Sequence, residues 1–426
     1  MQNKPSLLRS IGPGILMAAV AVGASHLVQS TRAGAEYGLA LAVVVVLAMA
    51  SKYPAYRFCP RYTSITGVSM IEGFARLGPW ALVLFCISAL GTVFVGGAGI
   101  TMVAAGILKA TFSLPASAVT IAIGMLIVTD ILLIIGRYHW LDLLMKVLMK
   151  VLMIFLSVVT VIATALVLPD VNWGLSLHFW PQHLDLKTTL FIIALFGWMP
   201  APLEAAVMTS LWSQAKAKDI GYRPSTHDTS VDFHIGYVTT LILSMCFMLL
   251  GTGLMHGAGI QFVDSAGGFA SQVIDLYGQV LGDWTRPFMG IMALSVMYST
   301  VIAHLDGFSR ITDEIIWHFE QSGRSEPAQR EGFRRRIYNS ALLVITASVI
   351  LVILFLMTSF KTLIDVSATI SFVATPVFAI MIHKAMMSAD IPGELRPHRL
   401  LRSYSVLCNV FLSLFALGYL ILFATT

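Results

Sequence analysis

The first apolar segment of the chain carries a run of polar side chains at its middle. Residues 12–38 read GPGILMAAVAVGASHLVQSTRAGAEYG. The polar groups in this run are Ser25, His26, Gln29, Ser30, Thr31 and Arg32. An imidazole can bind a metal ion or carry a proton near neutral pH, and hydroxyl and guanidinium groups can bind a polar or anionic molecule. The pattern therefore predicts that this segment faces a substrate.

A second segment, residues 188–212, combines helix breakers with groups that bind ligands. It reads TTLFIIALFGWMPAPLEAAVMTSLW, with Pro200 and Pro202 at its middle. Proline lacks a backbone N–H and its ring clashes with the preceding turn, so a helix should unwind here. Met199 offers a soft thioether and Glu204 a carboxylate beside the interruption. These residues predict a second polar site within an apolar helix.

The composition of the chain indicates which elements position the two segments. Of 426 residues, 57% are hydrophobic and only 12% are charged, which is too little charge for a soluble surface. Apolar runs of roughly 20 residues recur, each long enough to cross a hydrocarbon core of about 30 Å. The sequence therefore predicts an all-α polytopic membrane protein with about eleven transmembrane helices. The predicted spans are 11–37, 39–57, 79–108, 116–136, 140–168, 188–212, 233–256, 284–316, 337–358, 361–385 and 402–423.

The sequence lacks the motifs of several other classes of protein. It contains neither a GxxxxGK[ST] phosphate-binding loop nor an HExxH metalloprotease motif, so neither ATP-driven transport by this chain nor enzyme activity is predicted. The four cysteines lie far apart and predict apolar packing rather than a metal cluster. No cofactor and no nucleic-acid partner are predicted; the expected partners are membrane lipid and a small solute or ion.

The basic residues of the connections predict the orientation of the chain in the membrane. The two connections 169–187 and 257–283 contain one lysine and no arginine between them, whereas the alternate connections are basic. Cytoplasmic connections are enriched in Lys and Arg, so the N-terminus is predicted to be cytoplasmic and the C-terminus outside, in a bacterial inner membrane. The segment 257–283 also predicts a short amphipathic helix. The basic residues placed inside are Lys4, Arg9, Arg57, Arg61, Arg76, Arg137, Lys216, Lys218, Arg223, Arg324, Arg330, Arg334, Arg335, Arg336, Lys384, Arg396, Arg399 and Arg402.

The two interrupted spans lie five spans apart, which predicts an inverted repeat. Because five is odd, the two halves would cross the membrane in opposite directions. The expected organisation is a single transport domain over 1–426, with repeat 1 at about 11–168, repeat 2 at about 188–385 and an extra helix at about 402–423. Paired broken helices favour alternating access with a substrate site at the breaks. Two ordinary kinked helices are the alternative.

Several stretches resemble the Nramp divalent-metal transporters. The matches are GPGILM and AGAEYG in the first span, MP in the sixth, and RYTSITGVSMIEGFARLG, IIGRYHWLDLLMKVL and FRRRIYNS elsewhere. In that family the first helix reads GPG, then Asp-Pro-Gly-Asn, then Ala-Gly-Ala-x-aromatic-Gly. The resemblance implies a LeuT-type fold of five plus five inverted helices, with helices 1 and 6 broken and an eleventh helix appended.

The chain departs from the family pattern at the positions that matter most for metal transport. Gly23 and His26 stand where the family has its metal-binding aspartate and asparagine. Met199 matches the family's methionine ligand, but Ala201 replaces the histidine tied to proton movement. The third span reads LGTVFVGGAGITMV and contains none of the usual acidic residues. The resemblance thus implies that the family's metal ligand and proton route have both been lost.

Three functions remain open at this stage. The first is secondary transport, or facilitated transport, of a small polar or anionic organic solute. The second is proton-coupled transport of a transition-metal ion at a rebuilt site formed by His26 and Met199. The third is a membrane sensor that does not transport. The residues predicted to bind substrate are Gly23, Ser25, His26, Ser30, Met199 and Ala201.

Four further residues are candidates for coupling or charge: Arg32, Glu204, His304 and Asp306. Ionisable groups inside a membrane are functional candidates because burying them is costly. Each also has a structural alternative. Arg32 and Glu36, four residues apart, would neutralise each other, Glu204 would cap a new helix, and His304 would contact Asp306. His26 would likewise bind a backbone carbonyl freed by the break.

Overall fold

The computed structural model describes residues 12–136, 152–171, 181, 184–256, 258–260, 262–263, 265–320, 327–356 and 360–425. All regular secondary structure in these ranges is helical. The prediction of an all-α protein is therefore confirmed. We number the membrane spans in chain order.

Nine helices among the described residues are long and apolar enough to cross a membrane. The fifth and sixth spans contain shorter apolar helices, Met153–Val167 and Leu186–Trp198. Together they account for the eleven predicted segments, although the predicted start of the fifth, 140–151, lies outside the described residues. The nine helices are Pro13–Tyr37, Ala42–Thr66, Pro79–Phe112, Ala118–Ile135, Thr226–His256, Asp283–Glu320, Glu331–Leu356, Lys361–Met386 and Arg399–Thr425.

The first span is bent rather than unwound. It consists of an α-helix at Pro13–Ala21, a wide π-type helix at Val22–Ser30 and an α-helix at Thr31–Tyr37. Within Val22–Ser30 only Gly23 leaves the helical region, with φ −61° and ψ −113°. The predicted break of helix 1 is therefore present, but it is confined to one residue and does not form an unwound segment. A bend at one residue interrupts fewer backbone hydrogen bonds than an unwound segment would.

The sixth span is truly interrupted, as its prolines predict. One α-helix ends at Trp198 and the next begins at Glu204, so residues 199–203 are non-helical. The two halves pack on different neighbours. Leu186–Trp198 lies against the tenth span, and Glu204–Ile220 lies against the second.

The first span lies at the centre of the bundle and packs along the seventh span. Glycine permits the close approach of these two backbones, because a Cβ atom on Gly236 would lie 2.2 Å from the carbonyl oxygen of Gly14. The buried carboxylate of Asp232 accepts hydrogen bonds from the N–H groups of Gly12 (2.9 Å) and Gly14 (2.6 Å). An anion at a helix N-terminus is favourable, which gives the GPG sequence a structural role.

Two helices lie outside the spans. Met70–Leu77 connects the second and third spans, and the Ser69 side chain caps its N-terminus. Ala266–Leu281 is the predicted amphipathic helix, with one face buried against Gly97–Phe112. The eleventh span, Arg399–Thr425, is the least buried of the nine long helices and therefore lies at the periphery of the bundle.

Candidate functional site

His26 lies at the bend of the first span and is fully buried. Its Nε2 atom is 2.8 Å from the carbonyl oxygen of Thr240 on the seventh span. The carbonyl of Ala21 also faces the imidazole, beyond the geometry of a full hydrogen bond. The ring therefore lies between two backbone carbonyls, and the one it binds belongs to the seventh span and not to the break of its own helix.

Gly23 and Ser30 lie in close contact with residues of other spans. A Cβ atom on Gly23 would lie 2.3 Å from the hydroxyl oxygen of Thr300 in the eighth span, so only glycine fits without movement. The Ser30 hydroxyl lies 3.8 Å from the sulfur of Met199. Of the predicted substrate-binding residues, Ser30 and Met199 are thus brought into contact, and they connect the two interrupted spans.

The carbonyls at the sixth-span interruption are bound by two side chains of the second span. The Lys52 ammonium group donates to the carbonyl oxygens of Phe196 (2.8 Å) and Gly197 (2.6 Å). One turn further along, the Tyr56 hydroxyl donates toward the carbonyl oxygens of Ala201 (2.9 Å) and Pro202 (2.8 Å). Unwound backbone inside a membrane needs such partners, because no water is available to supply them.

Sequence reasoning missed Lys52 and Tyr56. Both side chains are fully buried, although they lie near the end of an apolar run whose charges were attributed to the cytoplasmic connection. A lysine inside a predicted span, followed four residues later by a tyrosine on the same helical face, was the available signal. Ala201 enters the site only through its carbonyl oxygen, which accepts from Tyr56.

Glu204 lines a small cavity at the junction of the first, third, sixth and eighth spans. The cavity has a volume of about 40 Å³. Glu204 is 1% exposed, and neither carboxylate oxygen has a hydrogen-bond partner among the described residues. Leu203 is the N-cap of the following helix, and no side chain caps it, so Glu204 is not the predicted cap. The lining side chains that carry a polar atom are Ser25, Thr92, Trp198, Glu204, Thr300 and His304.

His304 and Asp306 have separate partners rather than each other. The Nε2 atom of His304 is 2.8 Å from the carbonyl oxygen of Val93. Asp306 accepts from Arg310 and from the Tyr338 hydroxyl, each at 2.7 Å. Side chains two residues apart on a helix do not face each other, which explains why the anticipated contact is replaced.

Arg32 belongs to a charge cluster formed by Arg32, Glu36, Lys361 and Asp365. Its Nε donates to Glu36 at 3.0 Å, and its Nη1 donates to both carboxylate oxygens of Asp365 at 2.7 and 2.9 Å. Lys361 lies 3.2 Å from Glu36. The predicted Arg32–Glu36 pair is confirmed, and the contact with the tenth span adds a second carboxylate. The formal charges of the cluster cancel, so Arg32 is already neutralised.

Besides Nδ1 of His26, three neutral polar atoms on the two interrupted spans are buried without a hydrogen-bond partner in the described part of the chain. They are Oε1 of Gln29, Oγ1 of Thr31 and Nε1 of Trp198. Gln29 keeps one contact through its amide nitrogen, 3.3 Å from Asp365. Buried polar atoms are seldom left unpaired, so each is a candidate contact for a bound molecule.

Metal-binding geometry is not formed by the usual ligands in this conformation. Among the residues that the structure describes, no group of three or more His, Cys, Asp or Glu side chains is arranged to hold a metal ion. The two predicted ligands, His26 and Met199, contact Thr240 and Ser30 respectively.

Comparisons with known proteins identify the fold and the family. The chain is 30% identical over 422 residues to uncharacterized protein PM0681 of Pasteurella multocida, covering 97% of this chain and 92% of that one. It superimposes on a mutant of the manganese transporter of Eremococcus coleocola with a TM-score of 0.66 at 14% identity, covering 98% and 88% of the two chains. It also superimposes on MhsT in complex with L-phenylalanine, with a TM-score of 0.60 at 14% identity and coverages of 95% and 98%.

The structural matches show a LeuT-type fold, as predicted, and the fold and family support a secondary transporter in a membrane. The family model for natural resistance-associated macrophage protein-like proteins matches residues 14–422. That match spans nearly the whole chain and both interrupted spans. The chain therefore belongs to the Nramp family.

Proposed function

We propose that this chain is a secondary transporter of a small polar organic solute. The solute would bind between the bend of the first span and the interruption of the sixth. The observation that carries this proposal is the set of buried and uncharged groups without a partner among the described residues of these two spans, on Gln29, Thr31 and Trp198. A few polar groups in an otherwise apolar setting are typical of sites for small organic molecules. Ser25, Ser30 and Met199 would complete the wall.

The charges at the site favour a solute without a strong net charge. Arg32 is held by Glu36 and Asp365, so it is not a free partner for a solute carboxylate. Lys52 donates to two carbonyls of the sixth span. A neutral or zwitterionic molecule would use the hydrogen-bonding groups without separating these pairs.

Transition-metal transport is the competing function, and the donor groups argue against it. A divalent ion needs anionic oxygen or several nitrogen and sulfur ligands to replace its water. His26 faces backbone carbonyls, and Glu204 lies in a cavity whose lining does not include Met199. The contact of Met199 with Ser30 is the feature that favours a metal site, because it places a soft sulfur between the two interrupted spans.

The fold itself accommodates both kinds of substrate. One structural neighbour is a manganese transporter, and another was solved with L-phenylalanine. The choice therefore rests on the donor groups of this chain. We further infer that the domain is a single unit with repeats at about 11–168 and 188–385 and an extra helix at about 402–423. The basic connections support a cytoplasmic N-terminus and an outside C-terminus in a bacterial inner membrane.

Two binding measurements on purified protein test the proposal. Isothermal titration with Mn²⁺, Fe²⁺, Zn²⁺ and Mg²⁺ is expected to give no saturable heat. A thermal-shift screen of amino acids, small amides and small carboxylates is expected to yield at least one stabilising solute, and the Gln29→Leu variant should lose that stabilisation. Micromolar Mn²⁺ binding that disappears in His26→Ala would instead establish the metal function.

A further inference from the structure

We propose that Glu204 is the proton-exchanging carboxyl group of the transport cycle. This inference rests on the proposed transporter function and assigns its coupling ion and the residue that binds it. In the conformation described here the Glu204 side chain carries a proton. When the interruption of the sixth span opens to water, that proton passes to water on one side of the membrane, and a proton from the other side replaces it later in the cycle.

The first argument is the isolation of the carboxyl group. Glu204 is 1% exposed, and neither of its oxygens has a hydrogen-bond partner among the described side chains and backbone groups. The N–H of Glu204 itself and the Thr92 hydroxyl lie near the carboxyl group but outside hydrogen-bond geometry, and the Thr92 hydroxyl pairs with that of Ser371 at 3.1 Å. An ionised carboxylate buried without hydrogen bonds is far more costly than a neutral carboxylic acid. The neutral, protonated form is therefore the one that this environment accepts.

The second argument is that the neighbouring ionisable groups are engaged elsewhere. Lys52 on the second span interacts electrostatically with Glu204, yet its N–H groups are directed at two carbonyls of the sixth span, and no ion pair within 4.0 Å joins the two described side chains. Tyr56 donates to the carbonyls after the break, and His304 binds the carbonyl of Val93. None of them supplies a direct counter-charge to the carboxylate.

The third argument is the cavity, which has room for water beside the carboxyl group. A buried water needs roughly 10–15 Å³ of accessible space and polar partners. The cavity of about 40 Å³ therefore has room for a few waters. The hydroxyl groups of Ser25, Thr92 and Thr300 on its wall are suitable partners. Most of the remaining wall is apolar, which suits a proton better than a metal cation that needs many oxygen ligands.

The position of the cavity links protonation to the moving parts. Its wall includes the first-span bend at Ala24 and Ser25, the wide segment of the third span at Thr92, and both sides of the sixth-span interruption at Trp198 and Glu204. Separation of these elements would admit more water to Glu204. Hydration stabilises the ionised form, so opening and proton release are coupled.

Infrared difference spectroscopy on the full chain in lipid nanodiscs tests the proposal without any transported solute. Protonated and ionised carboxyl groups absorb at different frequencies. The wild-type protein is expected to show a protonated carboxyl band that disappears between acidic and alkaline pH and shifts in D₂O. In Glu204→Gln the intensity of this band should fall by the contribution of one carboxyl group. In Glu204→Asp that contribution should remain but absorb at another frequency.

Glu36→Gln is the matched control, because Glu36 also lies inside the bundle but is paired with Arg32 and Lys361. It should retain the full band. An unchanged band in Glu204→Gln, or a band that does not respond to pH, would overturn the proposal. Loss of the band on adding Na⁺ at constant pH would also overturn it, in favour of a sodium site. Failure of the solute screen would leave this result untouched, so the two proposals fail separately.

Discussion

The two interrupted spans lie at corresponding places in the chain but are built in different ways. The first span keeps its helical winding and bends at Gly23. One side chain from the same span, His26, binds a carbonyl of the seventh span. In the sixth span residues 199–203 are non-helical, and two side chains of the second span bind its carbonyls: Lys52 binds those before the gap and Tyr56 those within it.

This difference follows from the number of backbone groups that each interruption releases. A bend at one residue frees few carbonyls, and the imidazole at this bend binds a carbonyl of the seventh span instead. A gap that contains two prolines frees the carbonyls at the end of the preceding helix and within the gap itself, so partners must come from a neighbouring helix. Polar side chains inside the membrane therefore divide into those that satisfy backbone and those left for a ligand. Lys52 and His26 belong to the first group, and Glu204 and Gln29 to the second.

The largest effect is expected for Lys52→Met. The change would leave the carbonyls of Phe196 and Gly197 without a donor in the core, which we expect to cost about 2–4 kcal/mol of unfolding free energy. Thermal unfolding of the purified protein in one detergent measures it. Lys187→Met, at an exposed lysine of the sixth span, is the control and should be nearly neutral. Equal losses of unfolding free energy in Lys52→Met and Lys187→Met would show that Lys52 has no special role in stabilising the sixth-span interruption.

Gly23→Ala tests the bend of the first span. Its new Cβ would overlap the Thr300 hydroxyl, and overpacking of this kind costs about 1–3 kcal/mol. Thr300→Ala in the same chain should recover much of the loss, because it removes the opposing oxygen. The melting temperatures of the wild type, the two single variants and the double variant give the coupling between positions 23 and 300. Purely additive effects would show that the bend does not depend on this contact.

Tyr56→Phe removes the hydroxyl that bridges two carbonyls after the break. We expect a loss of about 1–2 kcal/mol, smaller than for Lys52 because a neutral donor is removed. Tyr404→Phe provides the comparison: its half-buried hydroxyl binds Ala50 at 2.6 Å, away from the interruption. A larger loss for Tyr404 than for Tyr56 would contradict the assigned role of the second span.

The smallest effect is expected at His26. His26→Leu loses the hydrogen bond to Thr240 and should cost about 1 kcal/mol, while His26→Gln keeps an N–H donor and should cost less. Mn²⁺ titration of both variants sharpens the result, because a backbone role predicts the same absence of metal binding as in the wild type. Mn²⁺ binding by the wild type that is lost in both variants would show that His26 is a metal ligand and does not serve only to bind backbone.

Much of the architecture could be predicted from local sequence. The apolar runs determine the spans, because crossing a hydrocarbon core requires about 20 apolar residues. Pro200 and Pro202 determine the sixth-span gap, since the missing N–H is a property of the residue itself. The Arg32–Glu36 pair was also predictable, because residues four apart on a helix are neighbours whatever the tertiary structure. The first-span residues were harder, because polarity alone does not separate a bend from an unwound segment.

The partners of the buried polar groups were decided only by the tertiary structure. Arg32 meets Asp365 of the tenth span, and Asp232 meets the N-terminus of the first. Lys52 meets the end of a helix far along the chain. Each contact depends on which helix faces pack together. The hydrophobic periodicity of one helix shows which of its faces is buried, but it does not identify the helix that packs there. Local residue types specify the apolar runs and the positions of the breaks, whereas helix packing selects which polar groups bind backbone carbonyls and which remain for a ligand.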